Sequence, residues 1–310
     1  MSEASLPLLV VIAGPTAVGK TAISIALAKY FDTAVLSADS RQCYKEMNIG
    51  TARPSLEEQD GVAHYFVASH SIKEPLTAVD YETYALRALE EVFQKKNIAI
   101  VCGGTGLYIQ ALLEGFDEMP AIDKGIEAAV IKSYEEKGLE WLQSQIQEKD
   151  SSYVEEGLPL DNPHRMLRAL IFKLSTGQSI IEFRKGSKKE RPFNTILIGL
   201  DRPRTELYDR VNLRVDQMMM QGLLEEANEL YPNRSLKNLD TVGYRELFEY
   251  LDGSISLQDA VEKIKRNSRR YAKRQITWFK RMENIQWFEP EELEAIIQHI
   301  ESSEFYTNLK

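Results

Sequence analysis

The chain has 310 residues, 43% hydrophobic and 27% charged, with 38 Lys and Arg against 47 Asp and Glu for a formal charge of -9. Such a composition excludes disorder, a collagen-like repeat and a disulfide scaffold, and it supplies apolar material for one large domain or two smaller ones. Taken alone, an acidic total argues against nucleic acid as a partner.

Residues 8–13 (LLVVIA) are short, continuous and apolar, which predicts a buried parallel strand. This run is too short to span a bilayer, and no Lys or Arg precedes Lys20, so neither a membrane segment nor a secretory leader is expected and cytosol is the default compartment. Residues 14–21 form a glycine-punctuated turn, and 21–30 a helix. A second strand is predicted at 34–37, running into Asp39-Ser40-Arg41-Gln42. Residues 77–96 are expected as an amphipathic helix with Val79, Leu86, Leu89 and Phe93 apolar; Tyr81 and Tyr84 receive no role. Residues 98–102 form another buried strand, closed by Gly103-Gly104-Thr105-Gly106. Strands alternating with helices imply an α/β fold with a parallel sheet flanked by helices.

From 117 to 190 the text turns helical, charged and broken by Gly, Pro and Asn, which reads as a mainly helical inserted domain. The core would then comprise residues 1–116 and 191–310, with a strand at 195–200, long helices at about 203–230 and 256–281, a short strand at 285–288 and a last helix. Two cysteines, Cys43 and Cys102, and four scattered histidines make neither a disulfide framework nor a zinc pattern.

Gly14-Pro15-Thr16-Ala17-Val18-Gly19-Lys20-Thr21 fits G-x-x-x-x-G-K-[ST] in full, with an apolar strand before it and a helix after it. Glycines let backbone N–H groups wrap a phosphate, Lys20 adds a point charge, and the Thr21 hydroxyl is the usual Mg²⁺ ligand of such a loop. The motif points to a polyphosphate or pyrophosphate and does not by itself single out ATP. The strand 98–102 ends in glycine where an ATPase presents a metal-binding Asp. Asp39 lies at the carboxyl edge of the sheet, where α/β folds place ligands, and suits either a metal ligand or a general base.

Residues 263–281 hold nine Lys and Arg and no acid, with Tyr271, Trp278 and Phe279 among them; residues 184–191 hold five basic residues and one Glu. A solvated helix face ordinarily mixes signs. The acidic total therefore hides a segregated chain with a basic tract suited to nucleic-acid phosphates. Trp278 is expected in the core, because helical aromatics usually pack inward.

GPTAVGKT (14–21), DSRQCYKEMNIGTARP (39–54), GGTGLY (103–108), DTVGYRE (240–246) and KRQITWFK (273–280) stand in the order found in bacterial tRNA dimethylallyltransferases. The whole chain resembles that family, the tRNA isopentenyltransferases or IPP transferases. The resemblance implies a P-loop NTPase-like core and a soluble monomer. It also implies transfer of a dimethylallyl group from dimethylallyl diphosphate to the exocyclic amine of the adenine beside the tRNA anticodon. The phosphate loop would hold the diphosphate with Mg²⁺ and no ATP.

On the same basis Asp39 is the general base, and Thr16, Lys20 and Arg214 stabilise the leaving group. Contacts to tRNA are implied for Asp39, Ser40, Arg41, Gln42 and Thr105; for His164, Arg165, Met166, Leu167 and Arg168; for Asp240, Thr241, Val242, Gly243, Tyr244 and Arg245; and for Lys273, Arg274, Gln275, Ile276, Thr277, Trp278, Phe279 and Lys280. The chain departs from the family pattern at Glu127, where relatives can carry Arg after Pro120 and Asp123, and at His164 and Met166. Two other classes share the phosphate loop. A small-molecule kinase leaves the acid-free tract unexplained, and a nucleic-acid-binding NTP switch lacks an N-K-x-D element.

Overall fold

A computed structural model describes residues 5–183, 186 and 188–309. Its backbone divides into two compact units, residues 1–114 with 190–310, and residues 115–189.

The larger unit is built on a six-stranded sheet: β1 (Leu8–Ala13), β2 (Val35–Ser37), β3 (His64–Tyr65), β4 (Ile98–Gly103), β5 (Asn194–Leu200) and β6 (Ile285–Phe288). The spatial order is β3-β2-β4-β1-β5-β6, and every pairing is parallel. Central β1 is buried on both faces. Leu9, Val11 and Ala13 enter one core with Leu36 and Val101; Leu8, Val10 and Ile12 enter the other with Ile100, Ile198 and Leu200. Period-two alternation therefore feeds two cores from one continuous apolar run. All carboxyl ends of the strands share one edge, and the phosphate loop leaves β1 there between β4 and β5.

Helix boundaries refine several expectations. Thr77 caps the helix Ala78–Phe93 through a reciprocal bond with Asp80, which places Val79 in a solvent-facing first turn at 54% exposure. The buried face is Tyr81, Ala85, Ala88, Leu89 and Val92, with Leu86 and Phe93 partly buried against the same core. The long helix expected at 203–230 is two, Arg204–Met220 and Leu223–Leu230, separated at Gly222 with φ 102°. The basic helix runs Leu257–Phe279. Strand β3 is only two residues long and carries no readable period.

The second unit packs helices Lys124–Lys149 and Pro163–Thr176 around Val130, Leu142, Ile146, Leu170 and Phe172. Asn162 caps the latter helix by accepting the Arg165 amide at 3.2 Å, with Pro163 in the first turn. His164, Arg165 and Arg168 face solvent, while Met166 is fully buried in the core of the unit. That burial corrects the expectation of RNA contact at Met166. Glu127 sits in the first turn of Lys124–Lys149, where a carboxylate complements the helix dipole.

Arg184 and Lys185 lie outside the described residues. Arg191, counted with them as a basic loop, is a correction: it is nearly buried, pairs with Glu82 at 2.7 Å and donates to the Ala111 carbonyl at 2.8 Å. It stabilises the core and offers no charge to a partner. No described helix is long and apolar enough to cross a membrane.

Candidate active site

The phosphate loop is held open by side chains from distant segments. Gly19 adopts φ 120° and Ala17 φ 65°, a conformation that non-glycine residues enter only when surroundings enforce it. Arg210 Nε donates to the Ala17 carbonyl and Arg202 Nε to the Val18 carbonyl, each at 2.9 Å. Both carbonyls are thereby drawn outward, and the amides of Ala17, Val18 and Gly19 have no protein acceptor among the described residues. The helix Lys20–Tyr30 starts at the loop, adding its unpaired first-turn amides. Lys20 Nζ donates to the Pro15 carbonyl at 2.7 Å, and Arg214 Nη1 to Thr16 Oγ1 at 3.3 Å.

Burial pushes the Lys20 ammonium down to about 8; Arg214 adds to the fall, while Cys102 and Asp39 oppose it. Burial also lowers Arg214, aided by Arg210. The cluster is therefore short of negative charge, the condition a diphosphate would relieve.

Asp39 follows β2. Its Oδ1 accepts the amides of Arg41 at 2.8 Å and Gln42 at 3.2 Å, which fixes the carboxylate and leaves Oδ2 without a protein partner among the described residues. Ser40 N donates to Thr105 Oγ1 at 3.0 Å, joining this turn to the segment after β4. Gln42 Nε2 donates to the Thr51 and Ala52 carbonyls.

Two cavities meet here. One, of about 350 Å³, is lined by the loop residues Thr16, Ala17, Gly19, Lys20 and Thr21 with Asp39, Cys102, Arg210 and Arg214. The other, of about 210 Å³, adds Val211, Val215, Met218, Val242 and Ile264 to Asp39, Ser40 and Arg41. Thr16, Asp39, Thr51, Ala52, Arg214 and Tyr271 line both. The arrangement is a polar anion cradle opening into an apolar chamber, with one carboxylate at the junction.

Among the described residues no group of three His, Cys, Asp or Glu side chains is placed to hold a metal. The Thr21 hydroxyl and the Asp39 carboxylate are hard oxygen donors on the wall of the larger cavity. One or two protein oxygens, completed by phosphate oxygens and water, form a donor set that Mg²⁺ accepts. The residues fit that ion bound together with a phosphate ligand.

Two residues at the site, Glu226 and Tyr271, lie outside every motif of the sequence. The Glu226 carboxylate accepts the amides of Asn48 at 3.0 Å, Ile49 at 2.8 Å and Gly50 at 2.9 Å, and the Tyr244 hydroxyl at 2.6 Å. It pins the loop that carries Thr51 and Ala52 over the cavities. Tyr271 lines both cavities, and burial together with nearby Asp39 pushes its hydroxyl up to about 12.

The basic helix is less charged in effect than in sequence. Lys263 pairs with Glu249 at 2.6 Å, Lys265 with Asp216 at 2.7 Å and Lys280 with Asp201 at 4.0 Å. Arg266, Arg270, Lys273, Arg274 and Arg281 are exposed and form no ion pair among the described residues. Arg270, Lys273, Arg274, Thr277, Trp278 and Arg281 line an open groove of about 480 Å³. Trp278 corrects the expectation of a core position: it is 38% exposed, its indole lying against the backbone of Gly106 beside these cations.

Three further members of the expected RNA surface are buried. Tyr244 and Phe279 show no accessible surface, and Gln275 shows 5%. Tyr244 and Phe279 pack in the core beside Leu247 and Ala260, and Gln275 bonds to the phosphate loop, so none presents a side chain to RNA. Ile276 is half-buried, packed against the second core. Thr241, Val242 and Gly243 line the apolar chamber, while Asp240 and Arg245 form an exposed pair at 3.4 Å. Phe279→Ala is accordingly expected to cost about 3–5 kcal/mol of stability, as large aromatic truncations in cores do. Denaturant titration reads this, and a stable variant with weakened RNA binding would contradict the burial.

The family model described as IPP transferase matches residues 42–282. The tRNA dimethylallyltransferase of Flavobacterium johnsoniae is 47% identical over 305 residues, 95% of this chain and 99% of that protein. The crystal structure of the full-length tRNA isopentenylpyrophosphate transferase from Bacillus halodurans superposes with a TM-score of 0.71 at 36% identity, covering 95% of both chains. A eukaryotic dimethylallyltransferase acting on tRNA superposes at 0.78 with 25% identity, over 95% of this chain and 79% of that one. With a family model spanning most of its length and relatives this similar over nearly all of it, the chain belongs to the IPP transferase family.

Proposed function

We propose that the chain transfers the dimethylallyl group of dimethylallyl diphosphate to N6 of the adenine 3′-adjacent to the anticodon of a tRNA, giving N6-isopentenyladenosine and diphosphate. The observation that carries the reading is the junction of two cavities: an anion cradle meets an apolar chamber at Asp39.

The chemistry follows from the residues. The diphosphate lies on the amides of the phosphate loop beside Lys20, and Arg214 and Thr16 flank it. The Thr21 hydroxyl would hold Mg²⁺ beside the diphosphate, and the ion would supply charge neutralisation there. The N6 lone pair attacks the allylic carbon, the carbon–oxygen bond breaks, and its electron pair leaves with the diphosphate. Positively charged groups fixed around the leaving oxygens stabilise that charge as it builds. The amine is a weak nucleophile because its lone pair is delocalised into the ring, and Asp39 accepts its proton as the new bond forms. The target base leaves its stack to reach the junction, as bases in single-stranded loops do at low cost.

RNA phosphates run along the exposed cations Arg270, Lys273, Arg274 and Arg281 on the basic helix, and His164, Arg165 and Arg168 of the second unit offer a further contact. The binding is therefore salt-dependent, with a slope of about -0.7 to -0.9 in log K per neutralised phosphate. Lys273→Ala is expected to flatten that slope by about one unit and weaken all tRNAs alike. A flat salt response in the wild type would remove this helix from the interface.

The direct test is incubation with labelled dimethylallyl diphosphate, Mg²⁺ and tRNA. Label in RNA supports the proposal. Nucleotide hydrolysis or phosphoryl transfer in place of RNA labelling would point to a kinase or an NTP switch.

A further inference from the structure

Gln275 belongs to the basic helix, and its position in sequence sets it among RNA-contacting residues. The structure places its amide elsewhere. Oε1 accepts the backbone N–H of Thr16 at 2.8 Å, and Nε2 donates to the carbonyl of Gly104 at 2.9 Å. Its side chain is nearly inaccessible, and both hydrogen bonds run to backbone groups on different loops.

These loops carry the two halves of the proposed chemistry. Thr16 is in the phosphate loop, ahead of the free amides of Ala17, Val18 and Gly19. Gly104 precedes Thr105, whose amide donates to the Ala38 carbonyl at 3.1 Å and whose hydroxyl accepts Ser40 N at 3.0 Å. Asp39 lies between Ala38 and Ser40. A single buried amide therefore joins the leaving-group cradle to the turn that carries the base.

We propose that Gln275 is a positioning residue that sets the phosphate loop against the Asp39 turn, and that it makes no contact with RNA. The proposal rests on the proposed function for the roles of the two loops. An amide is the side chain suited to the task, because one end must accept and the other donate. Gly104 is matched to it: a Cβ built there falls 2.2 Å from Nε2 of Gln275, so any larger residue displaces the amide from the opposite side.

The test uses Gln275→Met, which keeps length and removes both hydrogen bonds, and Gly104→Ala, which displaces the amide while leaving Gln275 in place. Inorganic pyrophosphate with Mg²⁺ is titrated calorimetrically, tRNA affinity is measured separately, and kcat is read at saturation of both substrates. Each variant is expected to lose roughly tenfold in pyrophosphate affinity, the size of one or two net buried hydrogen bonds. Each also loses kcat, with tRNA affinity at the wild-type level, and the double variant is no worse than either single one, since both break one contact set. If Gln275→Met does not fold, Gly104→Ala decides alone. Weakened tRNA binding with intact pyrophosphate affinity would overturn the proposal, as would variants matching the wild type in both. Failure of the wild type itself to bind pyrophosphate would overturn the proposed function and this inference together; wild-type binding with unaffected variants would overturn only the inference.

Discussion

Asp39→Asn is expected to lower kcat by about 10²- to 10⁴-fold, the usual size of a lost general base, with tRNA affinity unchanged. The substitution is chosen because the structure keeps its geometry. Oδ1 of Asp39 accepts the amides of Arg41 and Gln42, and the carbonyl oxygen of Asn accepts the same two bonds. What disappears is the capacity of the other oxygen to take a proton. Single-turnover kinetics with saturating tRNA read the chemical step alone. Turnover at the wild-type rate would remove Asp39 from proton transfer and leave it only a structural role in the turn.

Lys20→Met is expected to lower kcat/KM for dimethylallyl diphosphate by about 10²- to 10³-fold, comparable to loss of one preorganised group at a developing anion. Its signature is a change in pH dependence. Burial holds the Lys20 ammonium at about 8 in the free protein, so it is charged below that pH and neutral above it. An anion cradle needs the charged form. The wild-type kcat/KM therefore falls as pH rises through about 8. A bound diphosphate favours the ammonium and moves its titration upward, so the same limb in kcat lies at higher pH. Met has no proton to lose, and the variant should lack this limb. An identical alkaline limb in both proteins would assign it to another group.

The core of the fold was legible because its strands are buried on both faces. Runs such as LLVVIA and IAIVCG are continuous and apolar, and a phosphate loop between strand and helix fixes the sheet edge where a site forms. Strand β3 was not legible, since two residues, His64 and Tyr65, hold no period. The site was legible in its motifs and obscure in its supports. Glu226 clamps the loop at Asn48–Gly50 from a distant helix, and nothing local to it distinguishes it from a surface carboxylate.

The basic helix shows the same limit more sharply. Its charges are visible in sequence, but their partners Glu249, Asp216 and Asp201 come from other segments, so the surviving positive face is smaller than the tract. Its buried stripe is sparse, Ala260, Ile264, Ala272, Gln275 and Phe279, among many polar neighbours. A motif such as KRQITWFK therefore mixes residues that face outward (Lys273, Arg274, Trp278) with residues that face the core or the phosphate loop. Motif membership alone does not separate them; burial does.

Alkylation of a single amine is checked by removing that amine. Two anticodon stem-loops are incubated with the protein, Mg²⁺ and labelled dimethylallyl diphosphate. They are identical except that one carries adenine 3′ to the anticodon and the other a purine lacking the exocyclic amine. The expected result is label on the adenine stem-loop, recovered as N6-isopentenyladenosine after digestion, and none on its partner. Equal labelling of both, or label on neither while the wild-type protein binds both, would contradict it.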